Sequence, residues 1–193
     1  MIHLHIDKTN IAYFGSFYEN IRSPKALLDL MAFIKERDGD FYSRIKFHFI
    51  GQQNNYSLNV FNQYPDISPD INCHGFLQRD HAMALIAKMD YLVNFGNTTD
   101  YHLPSRVVEY LFFNKPTVNF PAIADDSFSD FVSPYIPLLN INPSKSLEHQ
   151  YQQFKDFLKE AKPKNSANPK AIQPFLADTI GQAYLDLFQK SSN

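Results

Sequence analysis

Along most of this chain, short apolar runs that stop at a glycine or a polar turn alternate with amphipathic segments of helical period. No other feature restricts the fold as much. Ile11 to Phe14 halts at Gly15, Ile45 to Ile50 at Gly51, Asp70 to Cys73 at His74-Gly75, and Tyr91 to Asn94 shortly before Gly96. Thr117 to Phe120 is a fifth run and Pro137 to Leu139 a sixth. Runs of this length between turn signals suit strands buried on both faces. Pro24 opens a helical pattern in which Leu27, Leu28, Met31 and Ile34 form one stripe, broken at Asp38-Gly39-Asp40. A weaker helix is expected over Tyr56 to Gln63, another over Arg79 to Lys88 with Met83, Ile86 and Ala87 inward, and another opening at Ser105. This order predicts an α/β fold, a Rossmann-like, doubly wound parallel sheet of about six strands with right-handed crossovers.

The tail reads differently. Leu147, Tyr151, Phe154 and Leu158 mark one amphipathic helix, and after the polar break 162–170 a second carries Ile172, Leu176, Ile180, Tyr184 and Leu187. The expectation is a single domain over 1–193, with a core over 10–142 and closing helices over 144–190. Eighteen Phe and eleven Tyr promise an aromatic-rich core. A net charge of −2 offers no basic face for nucleic acid. The single cysteine, Cys73, cannot form an internal disulfide and reads as a core residue rather than a nucleophile. No apolar run approaches the roughly 20 residues of a membrane-spanning helix, and the N-terminus lacks a signal-peptide pattern. These features predict a soluble cytoplasmic chain, with peripheral contact at the inner face of a membrane left open.

Ligands of parallel α/β sheets bind at the carboxyl ends of the strands. That rule selects Gly15-Ser16-Phe17, Gly51-Gln52-Gln53, His74-Gly75-Phe76, Gly96-Asn97-Thr98-Thr99 and Leu103-Pro104-Ser105. Gly15 lacks the continuation of a dinucleotide fingerprint, and no phosphate-binding P-loop exists. Arg22, near a helix start, is a candidate phosphate ligand, against the plainer reading of a solvated surface arginine. In YHLPSRVVEYLFFNKP (101–116), Ser105 is a candidate N-cap, Arg106 adds positive charge, and Glu109 lies one turn on. A carboxylate there can accept bonds from the two hydroxyls of a ribose, although a glutamate near a helix start also serves the helix dipole alone. Metal sites and triads are poorly supported. His3 and His5 lack ligand partners, His48 reads as a packed or paired strand residue, and His81 and His149 as solvated. Only His74 and His102 lie on the rim, where a catalytic or sugar-binding role is conceivable.

The series IAYFGSF, IRSPKALLDLM, FHFIG, INCHGFLQRD, MDYLVNFGN and LPSRVVEYLFFNKPTV resembles the C-terminal domain of GT-B glycosyltransferases, over about residues 10 to 121. It looks most like bacterial surface-polysaccharide (lipopolysaccharide or capsule) enzymes related to glycosyltransferase family 4, and the P-S-[KR]-x-x-E-Y block followed by x-K-P is its most specific part. The resemblance implies a nucleotide-sugar donor site and a hexosyl transfer from a UDP- or GDP-sugar to a polysaccharide or lipid-linked acceptor. It also implies an N-terminal Rossmann acceptor domain, absent from this chain, supplied in the full enzyme or by a partner chain. Glu109 would hold the ribose, Arg22 the diphosphate, and the backbone at Gly75, Phe76 and Leu77 would face the base. The loop Gly96 to Ser105, with Asn97, Leu103, Pro104 and Ser105, would contact sugar and phosphates beside Gly15 and Ser16. No cofactor and no metal are expected, because basic side chains and helix amides carry the leaving diphosphate. The chain departs from the family at Tyr101, where a second glutamate is usual, and at Ser16, where an arginine is usual; Arg106 is a candidate to replace part of that charge. Two other readings stay open: a non-catalytic nucleotide-binding or partner-docking module, and a sugar-nucleotide epimerase of the same fold.

Overall fold

The computed structural model describes residue 4 and residues 7–99, 103, 106–163 and 168–191. Six strands form one sheet: β1 (Thr9–Phe14), β2 (Ile45–Ile50), β3 (Ile71–Cys73), β4 (Tyr91–Phe95), β5 (Thr117–Phe120) and β6 (Leu138–Asn140). Every adjacent pair is parallel, in the order β3-β2-β1-β4-β5-β6. The expected Rossmann-like sheet is therefore the one formed. The strand order reverses between β1 and β4, and at such a point the connections leave in opposite directions and open a crevice at the carboxyl edge.

Alternation along the strands divides the core in two. Ile11, Tyr13, Phe47, Phe49, Val93, Phe95, Val118 and Phe120 point to one face. There they meet Leu27, Leu28, Met31 and Ile34 of α1 (Lys25–Arg37) and, from the tail, Tyr151 and Phe154. The aromatic content gathers on this side: Tyr13 stacks on Phe17 at 4.7 Å and meets the edge of Phe95 at 4.8 Å. Two short helices, α2 (Gly39–Ser43) and α3 (Asn55–Phe61), precede and follow β2. Asp38, expected only to break the pattern, caps α2 by accepting from Phe41 N at 3.0 Å. On the second face Ala12, Phe14, Ile50 and Leu92 pack against α4 (Arg79–Ala87), α5 (Val107–Phe113) and α6 (Ser127–Val132).

Several expectations need correcting. The buried stripe of α4 is Ala82, Leu85 and Ile86; Ala87 is exposed and Met83 half-buried, because the helix is rotated from the expected phase. Cys73 is exposed, at the end of a three-residue edge strand whose other two residues are only half-buried. Helix α6 was not anticipated, since Phe128 and Val132 alone make too short a pattern. The tail forms α7 (Leu147–Glu160), α8 (Pro169–Ile172) and α9 (Ala177–Ser191). Helix α7 closes the first face, with Tyr151 Oη 2.6 Å and Lys155 Nζ 2.7 Å from Asp38 Oδ2. The single helix expected from Ile172 to Leu187 is split at Gln173–Phe175, where Pro174 cannot donate to an α-helical ladder. Ala171 of α8 is buried on the second face, whereas Leu176, Ile180 and Tyr184 remain exposed.

Candidate functional site

The carboxyl edge at the reversal point is built from two loops. Beyond β1 the chain turns at Gly15 and dips inward at Phe17, 1% exposed, so the aromatic cluster anchors the loop. Tyr18 and Arg22 then pair their backbones at 3.1 and 2.9 Å around a turn in which Asn20 has φ +62°. The second loop, after β4, is tied to the first: Thr98 N donates to Ile21 O at 3.3 Å and Thr98 Oγ1 to Asn20 O at 3.0 Å. Gly51 supports the floor from β2. With φ +150° it lies so close to the Gly15 carbonyl oxygen that a side chain there meets that atom.

These ties fix one cation. Arg22 forks Nε and Nη2 onto Asn97 Oδ1, at 3.2 and 2.7 Å, and donates Nη1 to Tyr13 Oη at 3.1 Å. Tyr13 Oη donates in turn to Ser16 O at 3.2 Å. Burial pushes the Tyr13 phenol up, while the charges of Arg22 and then Arg106 oppose the shift. Tyr110, fully buried with its hydroxyl on Val93 O at 2.7 Å, is likewise pushed up by burial. Both tyrosines therefore stay neutral walls of the site.

Around Arg22 lies a hollow of about 410 Å³. Gly15, Ser16, Arg22, Gln52, Phe76 and Arg106, all expected from the sequence, line it, and so do Tyr13, Asn94 and Tyr110, which were not expected. No acidic side chain contributes to the lining, and Arg106 has no ion-pair partner among the described residues. In a chain of net charge −2, this is a local concentration of positive charge.

The other expected residues are distributed differently. Asn97 acts behind Arg22 rather than on the hollow. Gly75, with φ +66°, accepts from Gly51 N at 2.9 Å, and Leu77 packs against the second core face, so of the three residues assigned to the base only Phe76 reaches the hollow. Leu103 is exposed and outside the lining. Pro104, Ser105, Tyr101, His102, His3 and His5 lie outside the described residues. The cap position of α5 falls on Arg106, which makes no side-chain cap, rather than on Ser105. Glu109 does not share the hollow of Arg22. It lines a neighbouring one of about 360 Å³ with Arg79, Met83, Val108, Phe112 and Ile172. There Oε1 is 3.9 Å from Arg79 Nη2, and Oε2 is buried without a hydrogen-bond donor among the described residues. An unsatisfied buried carboxylate oxygen is costly. His74 on the rim turns inward, with Nε2 2.9 Å from Nδ1 of the buried His48, and burial lowers its pKa. Although Cys73 is exposed as a residue, partial desolvation raises its pKa, which makes it a poor nucleophile.

In fold the chain is similar to the domains of GT-B glycosyltransferases. Solved structures with the same architecture include Anabaena HepE in complex with UDP and glucose, at 16% identity and a TM-score of 0.62. It is covered over 49% of its length by 95% of this chain. Sucrose-phosphate synthase from Thermosynechococcus elongatus matches at 15% identity and a TM-score of 0.66, covering 97% of this chain and 47% of its own. S. aureus MnaA, solved with UDP, matches at 17% and 0.58, covering 94% and 46%. The chain thus spans about half the length of these structures. No family model and no curated protein sequence matches it. Among the described residues no helix is long and apolar enough to cross a membrane, and no cluster of three or more His, Cys, Asp or Glu is placed to hold a metal ion.

Proposed function

We propose that this chain is the nucleotide-sugar-binding half of a glycosyltransferase that moves a hexosyl group from a UDP- or GDP-sugar to a polysaccharide or lipid-linked acceptor. The observation that carries the reading is the hollow at the strand reversal, which two arginines from different loops line and to which no carboxylate contributes among the described residues. A diphosphate fits that charge, and a volume of about 410 Å³ is within the range of small-ligand sites. Arg22 and Arg106 would take its oxygens, Phe76 would flank the base, and the unsatisfied Glu109 Oε2 would accept from the ribose hydroxyls. As the glycosidic bond breaks, charge builds on the diphosphate, and cations already held in place stabilise it without reorganising. HepE with UDP and glucose, and MnaA with UDP, share the fold and support the ligand class. The acceptor would approach from a second domain or partner chain, in keeping with the half-length match.

Titration calorimetry with UDP, GDP and ADP against wild type and Glu109→Ala tests the reading. Binding that prefers one base and weakens about tenfold or more in the variant is expected, as for a lost hydrogen bond to a charged group. Absence of binding at millimolar nucleotide would sink it. Nucleotide binding that persists when the acceptor half is supplied, yet with no transfer, would favour the docking-module reading instead.

A further inference from the structure

Asn94, Asn119 and Asn140 are register partners on β4, β5 and β6, so their side chains form a row across three adjacent strands. The first two are 4% and 0% exposed. Asn119 Nδ2 lies 2.7 Å from Asp126 Oδ2, 2.9 Å from Asn140 Oδ1 and 2.9 Å from Ser129 Oγ. A carboxylate oxygen only accepts, so the end of the Asn119 amide that faces Asp126 must be the NH2. Its oxygen is thereby turned towards β4, where Asn94 donates Nδ2 to it at 2.8 Å. Flipping either amide would set two donors or two acceptors against each other in a buried place. The direction of the whole row is consequently dictated by Asp126, whose Oδ2 also receives Ser129 N at 3.1 Å and Ser129 Oγ at 2.7 Å.

The far end of the row is Asn94 Oδ1. It receives no protein donor among the described residues, and Asn94 lines the hollow that holds Arg22 and Arg106. A bare amide oxygen repels phosphate oxygens, so it does not serve the anion that the two arginines attract. What it can take is a hydrogen-bond donor next to that anion. We propose that Asn94 is a specificity residue for the donor: its Oδ1 accepts from a hydroxyl of the sugar attached to the diphosphate, with its orientation set by Asn119 and Asp126. This inference rests on the nucleotide-sugar reading above.

The test is a calorimetric comparison of UDP, UDP-glucose and the 2-, 3-, 4- and 6-deoxy forms of UDP-glucose, on wild type and Asn94→Ala. One deoxy analogue should bind wild type about five-fold more weakly than UDP-glucose, as for one neutral hydrogen bond. Asn94→Ala should lose about the same factor for UDP-glucose, lose nothing for UDP, and no longer distinguish that analogue. Asp126→Asn, which never touches the ligand, should blur the same discrimination by freeing the amides to turn. If Asn94→Ala does not fold, the analogue series on wild type still decides. Equal binding of all the deoxy forms, or equal losses for UDP and UDP-glucose in Asn94→Ala, overturns the inference while leaving the site reading intact. Failure of UDP itself to bind removes both.

Discussion

Replacing Arg22 by alanine probes the site most directly. A guanidinium carries five N–H groups. Three are engaged inside the protein, two on Asn97 and one on Tyr13, at 2.7 to 3.2 Å. The remaining two, one on each terminal nitrogen, are aimed outward by that frame and are already oriented before any ligand arrives. Charge-assisted bonds contribute about 1.5–3 kcal/mol each. Arg22 is half-buried at the mouth of an open hollow, so screening takes its two bonds together down to about 2 kcal/mol, or a 30-fold weaker UDP complex. Arg22→Lys keeps the charge but cannot fork onto Asn97 while reaching Tyr13, and should recover only part of the loss. Calorimetry at two salt concentrations, with melting curves to verify the fold, measures both. If Arg22→Ala stays folded and binds UDP as wild type does, the diphosphate is not held here and the site reasoning fails.

Asp38→Asn should lower the melting temperature at neutral pH. Hydrogen bonds from Lys155, Tyr151 and the Phe41 amide hold the Asp38 carboxyl well below the usual carboxylate range. A depressed folded pKa contributes stability above the unfolded value of about 4 and loses it as pH falls below that, so wild-type and variant melting curves should converge in acid. Lys115→Met should stabilise the chain by about 1–3 kcal/mol in chemical denaturation, because the Lys115 ammonium is buried without a hydrogen-bond partner among the described residues. Burial lowers the Lys115 pKa, so the folded chain binds that proton less readily than the unfolded one, and the variant's advantage should shrink as pH rises towards 10 or so. Gly51→Ala should cost about 1–3 kcal/mol from its backbone conformation alone. It should also weaken UDP binding, since the new methyl group displaces the Gly15 carbonyl that supports the hollow; unchanged binding in a stable variant would contradict this.

The sheet was legible because the central strands carry short, mainly apolar runs covered on both faces; Asn94, Asn119 and His48 are among the buried polar residues within them. His48 was expected to be packed or paired and is, whereas the meaning of Asn94 and Asn119 was hidden in the sequence. Asn119 reads as an impurity in Thr117–Phe120 until Asp126, Ser129 and Asn140 are seen around it. Arg22 was visible as a cation at a helix entrance, but Asn97 and Tyr13, which aim it, lie 75 and 9 residues away, and only the tertiary fold makes the connection. Glu109 was singled out as a ribose ligand, yet α5 turns it into the hollow next to that of Arg22, because Arg106, Val107 and Tyr110 occupy the face towards β1. The tail misled for a local reason: the apolar spacing runs on through Pro174, where a helical hydrogen bond is impossible.

The strand reversal also has a bearing on how the molecule comes apart. Arg22 belongs to the β1–β2–β3 half of the sheet and Arg106 to the β4–β5–β6 half, and beyond the strand pairing the loops are bridged at Thr98. A nucleotide gripped by both arginines acts as a staple across this seam. At a hundredfold excess over its dissociation constant such a ligand adds about 2.7 kcal/mol to the folded state. Hydrogen exchange should record that gain first in the amides joining β1 to β4, at the seam itself.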